Sequence, residues 1–450
     1  MTVDNELIRL CIDESPPRNQ PLVAKYIRSF AFPVLSKLSP FNISKTGSYL
    51  EANKTAILQK YGPGAENDIT SVLTKLNTLI TDILNNKPFR ELVSDNVDVE
   101  IWNKVLKDYS DEDGNRPTWL FTNWLYCECY IHRRIFEAFE TSIYLKNYDP
   151  FYEQKMQGLV SCEDAMELLG KFLIKYFHKE DIDIKNLHED LPKMFKCALW
   201  GNRCDLSQTG GDAIAQTECP LVLVDALQHL MLVDESPKAV DFLCASLNDA
   251  TNDDKILDII LDNAGYELFT DLCLADYLIT FKFVNTIRFH GKVIPWFISD
   301  VTTQDFINTI DYLSYKIKSD VLKELGKRWE NYMKSGQWKF ECEQFWTLPF
   351  SFGQIKSLDN ELYTKLEESF LIISKGDLNY RKLVGDVYWN PTVPFIETVG
   401  NFKPSKLIAL RTLKSDITCG LPEGLAEHVS KTDPNWLKEG KYAVIQVDGI

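Results

Sequence analysis

The stretch Ile256-Leu257-Asp258-Ile259-Ile260-Leu261-Asp262-Asn263-Ala264-Gly265 is an apolar run that ends in a polar turn. Short runs rich in branched apolar residues are typical of buried strands, and a helical pattern at 266–279 follows directly. Comparable apolar runs recur at 284–289, 293–298, 370–374, 406–410 and 442–447. Their alternation with helical patterns, such as the one at 303–317 behind a capping-box spacing, predicts a parallel α/β sheet from residue 220 onward.

The sequence before this region has a different pattern. From Leu22 to Lys196, apolar residues recur at helical spacing and strand-like alternation is scarce. With 450 residues, the chain exceeds what a single core usually organises. We therefore expect a mainly α-helical N-terminal subdomain at residues 1–215 and a Rossmann-like, three-layer α/β/α domain at residues 216–450.

Charge and cysteine content restrict the class of protein. The chain has 49 Lys and Arg against 65 Asp and Glu, a net charge of -16, which disfavours binding to nucleic acid or to an anionic membrane. The segment Met1–Glu6 does not start like a signal peptide, so we expect a cytoplasmic protein and leave the nucleus open as a second location. The 11 cysteines lack paired CxxC spacing, which indicates reduced thiols and not a zinc site.

Polar clusters follow several predicted strands. Asp262 and Asn263 end the first run, Asp300 follows 293–298, and Arg411 and Lys414 follow 406–410. In a parallel sheet, ligands bind beyond the carboxyl ends of the strands, so these side chains are candidates for one pocket. Carboxylate and amide oxygens suit a hard divalent ion such as Mg or Mn. The basic side chains would neutralise a phosphoryl group, as in phosphoryl transfer.

Each element also has a simpler interpretation. An Asp-Asn pair after a strand is most often an Asx turn or a helix cap. Arg411 and Lys414 are equally compatible with a solvated strand end. The functional interpretation is favoured because separate strand ends supply acids and bases that complement a single ligand.

Together, these segments resemble the metal-dependent damage-control phosphatases, specifically their eukaryotic subgroup with an Arg-Thr-x-Lys signature. Residues 411–414 match that signature, and the other matching segments are 199–207, 261–268 and 375–383, with further similarity at 117–120 and 288–292. The resemblance covers most of the chain, and its first hundred residues match least distinctively. It implies a helical subdomain against a Rossmann-like domain, in agreement with the pattern of elements.

The resemblance also implies roles for individual residues. By motif position, the metal ligands are Asp262, Asn263 and Asp300, and Asp262, Asn263 and Lys414 form the catalytic set. The substrate-binding residues that it implies, together with Arg411 from the strand-end argument, are Asn202, Asp205, Glu267, Asp377, Leu378, Asn379, Tyr380, Arg381, Arg411 and Lys414. Family members hydrolyse small phosphomonoesters, including fructose 1-phosphate and fructose 6-phosphate, with ions such as Mn, Co or Ni. A small phosphorylated metabolite is therefore the expected partner.

Three questions stay open at this point. Asp262 could attack phosphorus itself, or a metal-ordered water could do so. A protein carboxyl methyltransferase that uses S-adenosylmethionine is the rival enzyme, although the turn after 256–261 has one glycine where such folds usually have a GxG pattern. A non-enzymatic interaction protein would expose its aromatic helices, but the stripe Trp119, Trp124, Tyr126 and Tyr130 has the spacing of a buried core.

Overall fold

The second half of the chain forms a mixed sheet, in which seven strands are described. In the computed structural model, which describes residues 39–111, 113–177, 184–204, 219–247 and 255–450, the strands are β1 Met231–Asp234, β2 Ile256–Ile260, β3 Thr286–His290, β4 Trp338–Glu341, β5 Leu371–Lys375, β6 Leu407–Thr412 and β7 Ala443–Asp448. Their order is β1-β7-β6-β5-β2-β3-β4. Every neighbouring pair is parallel except β6 and β7, which are antiparallel. The sheet confirms the α/β class.

Strand β2 lies near the middle of this sheet, between β3 and β5. Four of its five residues are buried, as expected for a strand covered on both faces. Its single polar residue, Asp258, accepts hydrogen bonds from the Arg288 guanidinium at 2.7 and 2.8 Å. A buried carboxylate is tolerated in the sheet because β3 supplies its counter-charge.

The chain divides into two compact units. The first comprises the described part of Met1–Glu153 with 294–298 and 344–350, and the second contains the sheet. Among the described residues, the α-helices of the first unit are Ser39–Ala52, Lys54–Tyr61, Ala65–Leu84, Val99–Asp108 and Trp124–Glu140, and helix Tyr152–Val160 includes the point in the chain where the second unit begins. The described α-helices of the second unit are Glu163–Ile174, Ile184–Trp200, Pro220–Ala226, Ser236–Ser246, Tyr266–Thr280, Thr303–Asp311, Asp320–Ser335, Ile355–Leu358, Asn360–Glu367, Asp377–Leu383, Phe395–Thr398 and Leu425–Thr432.

The division predicted at residue 215 marks a change in the sequence pattern. The division into compact units falls earlier in the chain, after Glu153. The described residues between 154 and 204 group with the sheet-bearing unit. The subdomain assignment of 1–215 and 216–450 therefore stays a prediction about organisation along the chain.

The aromatic stripe of the first unit is part of its core. Trp119, Trp124, Tyr126 and Tyr130 are each at most 3% exposed. The ring of Phe89 meets Tyr126 and Tyr130 edge-on, at centroid distances of 5.5 and 4.9 Å. The interpretation of this stripe as core is confirmed. No helix among the described residues combines the length and the apolar character that crossing a membrane requires.

Two predicted elements differ from the structure. Residues 293–298 form no strand, because Pro295 lacks a backbone donor and Phe297 and Ile298 have positive φ angles of 46° and 70°. The helix predicted at 303–317 has the expected capping box between Thr302 and Asp305, but its α-helical part ends at Asp311 and a π-helix, Tyr312–Lys316, follows.

Candidate active site

The candidate site lies where the order of the strands reverses. From β2 the chain adds β3 and β4 on one side of the sheet, and it then crosses to add β5 on the other side of β2. The carboxyl ends of β2 and β5 therefore form the crevice in which α/β proteins usually bind ligands. Asp262 and Asn263 follow β2, and Gly376 follows β5.

Gly376 allows the turn after β5 to touch the Asp262 carboxylate. A β-carbon at Gly376 would lie 2.0 Å from Oδ2 of Asp262, and the residue has a φ of +86°. A side chain at this position would be strained and would overlap the carboxylate. Glycine therefore lets the Asp262 carboxylate lie directly against the backbone of the turn after β5.

Two side-chain amides hold two carboxylates together in this crevice. Nδ2 of Asn202 donates to Oδ2 of Asp262 and to Oε2 of Glu267, both at 2.7 Å. Nδ2 of Asn263 donates to the same two oxygens, at 2.9 and 2.7 Å. All four residues are at most 6% exposed. The sequence placed each of them in the pocket, and the structure brings them into one hydrogen-bonded cluster.

Asp300 reaches the site by a different route from the predicted one. Because 293–298 is not a strand, Asp300 does not follow a strand end; it forms an isolated antiparallel bridge with Asn263. The Ala264 N–H donates to the Ser299 carbonyl at 2.7 Å, and Oγ of Ser299 donates to Oδ1 of Asn263 at 2.6 Å. This backbone pairing brings the three predicted metal ligands to one place.

Two buried lysines, neither of which was assigned a role from the sequence, support these acids. Nζ of Lys292 lies 3.2 Å from Oδ2 of Asp300. Nζ of Lys375, the last residue of β5, donates to Oε1 of Glu267 at 2.8 Å and to Oδ1 of Asp271 at 2.6 Å. Burial alone would lower the pKa of Lys375, but Asp271 and Glu267 raise it above its ordinary value. Burial raises the pKa of Asp271. A lysine at the end of a buried apolar run needs hydrogen-bond acceptors inside the protein. This feature of the sequence could have indicated that Lys375 pairs with buried acids.

Arg411 was predicted to follow the strand at 406–410. In the structure it lies inside this strand, because β6 continues to Thr412. Its Nε donates to Oδ1 of Asp377 at 2.7 Å, and Nη1 donates to the Ile417 carbonyl at 2.6 Å. Burial alone would raise the pKa of Asp377, but Arg411 and then Arg381 hold it below its usual range. Because these donors bind protein groups, Arg411 shapes the loop after β6, and the alternative of a solvated strand end is wrong.

Lys414 lies on that loop. Its backbone N–H donates to Oδ1 of Asp377 at 3.1 Å, and its Nζ lies 3.5 Å from the Asn202 carbonyl oxygen. Oγ1 of Thr412 donates to Oδ1 of Asn202. Asn202 therefore connects the end of β2 to the end of β6, which places the half-buried Lys414 beside the acidic cluster.

The remaining predicted contacts belong to the helix Asp377–Leu383, where every residue is buried. Nδ2 of Asn379 donates to the carbonyls of Leu261 and Lys375 at 3.0 and 2.8 Å. The Tyr380 hydroxyl donates to Oε1 of Gln446 at 2.7 Å, and Nε of Arg381 donates to Asp386 at 2.8 Å. Roles in substrate binding for Leu378, Asn379, Tyr380 and Arg381 stay predictions. Asp205 lies outside the described residues.

The donor set suits a hard cation. In the described part of the chain, no three or more His, Cys, Asp or Glu side chains form a group that could hold a metal ion. Asp262, Asn263 and Asp300 instead offer two carboxylates and an amide, which are oxygen donors of the kind that Mg and Mn prefer.

An α/β sheet with acids, amides and lysines at its strand-reversal point is typical of an enzyme that acts on a small anionic substrate. Residues 43–429 match the family model described as the damage-control phosphatase ARMT1-like domain. The chain belongs to this family and is a phosphatase. The family and the enzyme class expected from the sequence are therefore confirmed.

Curated relatives match over nearly the whole chain. Damage-control phosphatase ARMT1 of Danio rerio is 38% identical, with 96% of this chain and 97% of that protein covered. The Homo sapiens protein of the same name is 35% identical, with coverages of 94% and 97%. Among solved structures, a DUF89 family protein from Pyrococcus horikoshii is similar, with a TM-score of 0.39, 16% identity and coverage of 87% of this chain and 95% of that one.

Proposed function

We propose that this phosphatase hydrolyses small sugar phosphates, such as fructose 1-phosphate or fructose 6-phosphate, at the cluster around Asp262. The observation that carries the proposal is the position of Asp262: two amides donate to one of its oxygens, and the absence of a side chain at Gly376 lets the carboxylate lie against the turn after β5. An acid fixed in this way at the reversal point of the sheet faces the region where a phosphate would bind.

Asp262, Asn263 and Asp300 are the residues that would hold a divalent ion, with Mn, Co, Ni and Mg as candidates. The chemistry that such an ion supplies is neutralisation of charge on the phosphoryl oxygens. The protein's own residues bind and orient the substrate. Lys414 adds a positive charge next to Asn202, where it would stabilise charge that develops on the transferring group.

Two attacking groups remain in competition. Asp262 would form an aspartyl-phosphate that water then hydrolyses, whereas direct attack by water would leave the enzyme unmodified. The stereochemical course at phosphorus, measured with a substrate whose phosphoryl group is chiral through oxygen isotopes, separates the two routes. An aspartyl-phosphate requires two in-line displacements and gives net retention, whereas direct attack by water is one displacement and gives inversion.

A metabolite screen tests the proposed substrate class. Phosphate release from fructose 1-phosphate, fructose 6-phosphate and unrelated phosphomonoesters is measured with Mn, Co, Ni or Mg. We expect the fructose phosphates to be among the best substrates and the activity to disappear with a chelator. Turnover restricted to non-sugar phosphates would overturn the substrate assignment.

The same protein preparation is incubated with labelled S-adenosylmethionine and acceptor proteins. Methyl transfer that exceeds phosphate release would favour the rival methyltransferase.

A cytoplasmic location is also a proposal, and imaging of the tagged chain tests it.

A further inference from the structure

A buried chain of charges continues from the candidate site into the core of the sheet-bearing unit. It consists of Asp271, Lys375 and Glu267, and it ends at the two amides of Asn202 and Asn263. None of the three charged side chains is more than 2% exposed. Buried charges of this kind are costly unless each is paired, so their arrangement is specific.

All three ammonium protons of Lys375 have acceptors. Nζ donates to Oδ1 of Asp271 at 2.6 Å, to Oε1 of Glu267 at 2.8 Å and to the Ala198 carbonyl at 2.8 Å. These contacts fix one oxygen of Glu267 toward β5. The other oxygen, Oε2, therefore faces the amides.

Oε2 of Glu267 accepts from Nδ2 of Asn202 and from Nδ2 of Asn263, both at 2.7 Å. An amide in the reverse orientation would place its own oxygen against this carboxylate oxygen and against Oδ2 of Asp262, which is repulsive. Glu267 therefore acts with Asp262, which accepts from the same Nδ2, to set the orientation of the Asn263 amide. Oδ1, which accepts from Oγ of Ser299, is then the oxygen with which Asn263 would bind a cation.

We infer that Lys375 and Glu267 are positioning residues, which set the amide orientation of Asn263 and thereby the affinity of the site for a divalent cation. The inference rests on the proposed function, because it takes Asn263 as a metal ligand. It also gives Glu267 a different role from the substrate contact implied by the family resemblance. Residues that orient metal ligands in this way typically contribute about 10- to 100-fold to metal affinity.

The test uses Mn²⁺ alone as the probe and isothermal titration calorimetry on the full chain, with thermal unfolding measured in parallel. Lys375→Met should raise the Kd for Mn²⁺ by about tenfold or more. Lys255→Met is the matched control, since Lys255 is also buried and donates to the Ser246 carbonyl, before β2 and away from the site. It should lose stability and keep the Mn²⁺ affinity of the parent chain.

A double variant separates positioning from a general loss of packing. In Glu267→Gln, the side chain has a single acceptor oxygen, which cannot accept from Lys375 and from the two amides at once. If it turns toward Lys375, the Asn263 amide loses this acceptor, and Mn²⁺ binding should weaken. In Glu267→Gln combined with Lys375→Met, the Gln oxygen can face the amides, and most of the affinity should return. If packing alone were involved, the two losses would add.

The inference is overturned if folded Lys375→Met binds Mn²⁺ within twofold of the parent chain. If Lys375→Met does not fold, the Mn²⁺ affinity of Glu267→Gln is the test instead. An affinity equal to that of the parent chain would also overturn the inference. If the parent chain and Asp262→Asn bind Mn²⁺ equally well, the metal site itself is wrongly assigned, and the inference falls together with the proposed function.

Discussion

Gly376 and Asp262 come so close that a β-carbon on the glycine would lie 2.0 Å from the carboxylate oxygen Oδ2. The two residues follow adjacent parallel strands, β5 and β2. The turn after β5 can therefore lie this close to the turn after β2 only because Gly376 has no side chain. This relationship gives the first prediction.

Gly376→Ala should destabilise the fold by about 1–3 kcal/mol because of its positive φ, and it should also abolish phosphatase activity by displacing Asp262. Gly336→Ala is the matched control: its φ is +78°, and nothing lies within 4 Å of the added carbon. Chemical denaturation and phosphate release are measured on both variants. Equal activity in the two would show that contact with Asp262 is unimportant.

Asp262→Asn should reduce kcat/KM by roughly 1,000-fold, because it removes a negative charge from the proposed metal ligands. Its melting temperature should stay close to that of the parent chain, since the side chain keeps its shape. Asp320→Asn, at a fully exposed side chain, is the control and should leave both quantities unchanged. Turnover by Asp262→Asn at the parent rate would refute the site.

Lys414→Ala should lower kcat/KM on the order of 100-fold, by removing a positive charge near the transferring group. The loss should appear in kcat as well as in KM if the charge acts in the transition state. Lys441→Ala removes a half-exposed lysine that pairs with Asp433 at 2.6 Å and serves as the control. A change in KM alone would restrict Lys414 to ground-state binding.

His290→Gln should change how stability depends on pH. Burial alone would lower the pKa of His290, but the hydrogen bonds that its ring donates to the carboxylates of Asp258 and Glu343 raise it from 6.5 to about 9. The raised pKa means that the folded state binds the proton more tightly. The resulting stability, about 3 kcal/mol, is fully present below pH 6.5 and is lost as the pH rises through about 9.

The free energy of unfolding, measured from pH 6 to pH 10, checks this prediction. The parent chain should lose stability across that range more steeply than His290→Gln. His428→Gln replaces an exposed histidine and should follow the parent curve. Parallel curves for the parent chain and His290→Gln would contradict a charged His290.

The strands that the sequence predicted correctly are those with continuous apolar runs. β2, β3, β5, β6 and β7 lie within two residues of their predicted positions. β1 was missed because Met231–Asp234 is only four residues long and half-buried. β4 alternates Trp338, Lys339, Phe340 and Glu341, a pattern of period two that could have revealed it.

The sequence explains why some of the candidate residues lie close together, and it explains fewer of the contacts between them. Asp262, Asn263 and Glu267 lie in one short segment, so their proximity follows from a strand, a turn and a helix. The contact between Asn202 and Asp262 joins residues 60 apart, and no local pattern encodes such a distance. Arg411 was expected beyond a strand end, but it lies inside the buried strand β6, and a buried guanidinium needs partners such as Asp377 that no local pattern reveals.

The position of β7 has a consequence for synthesis of the chain. β1 joins the sheet through β7, and the Val447 N–H donates to Oε2 of Glu235 at 2.9 Å, 212 residues earlier in the sequence. During translation, β1 leaves the ribosome long before its neighbour exists, and the edge of β6 stays open until residues 443–448 have been made. A truncation before Ala443 would therefore leave unpaired strand edges on β1 and β6 together, a hazard for aggregation in nascent chains and in frameshifted products.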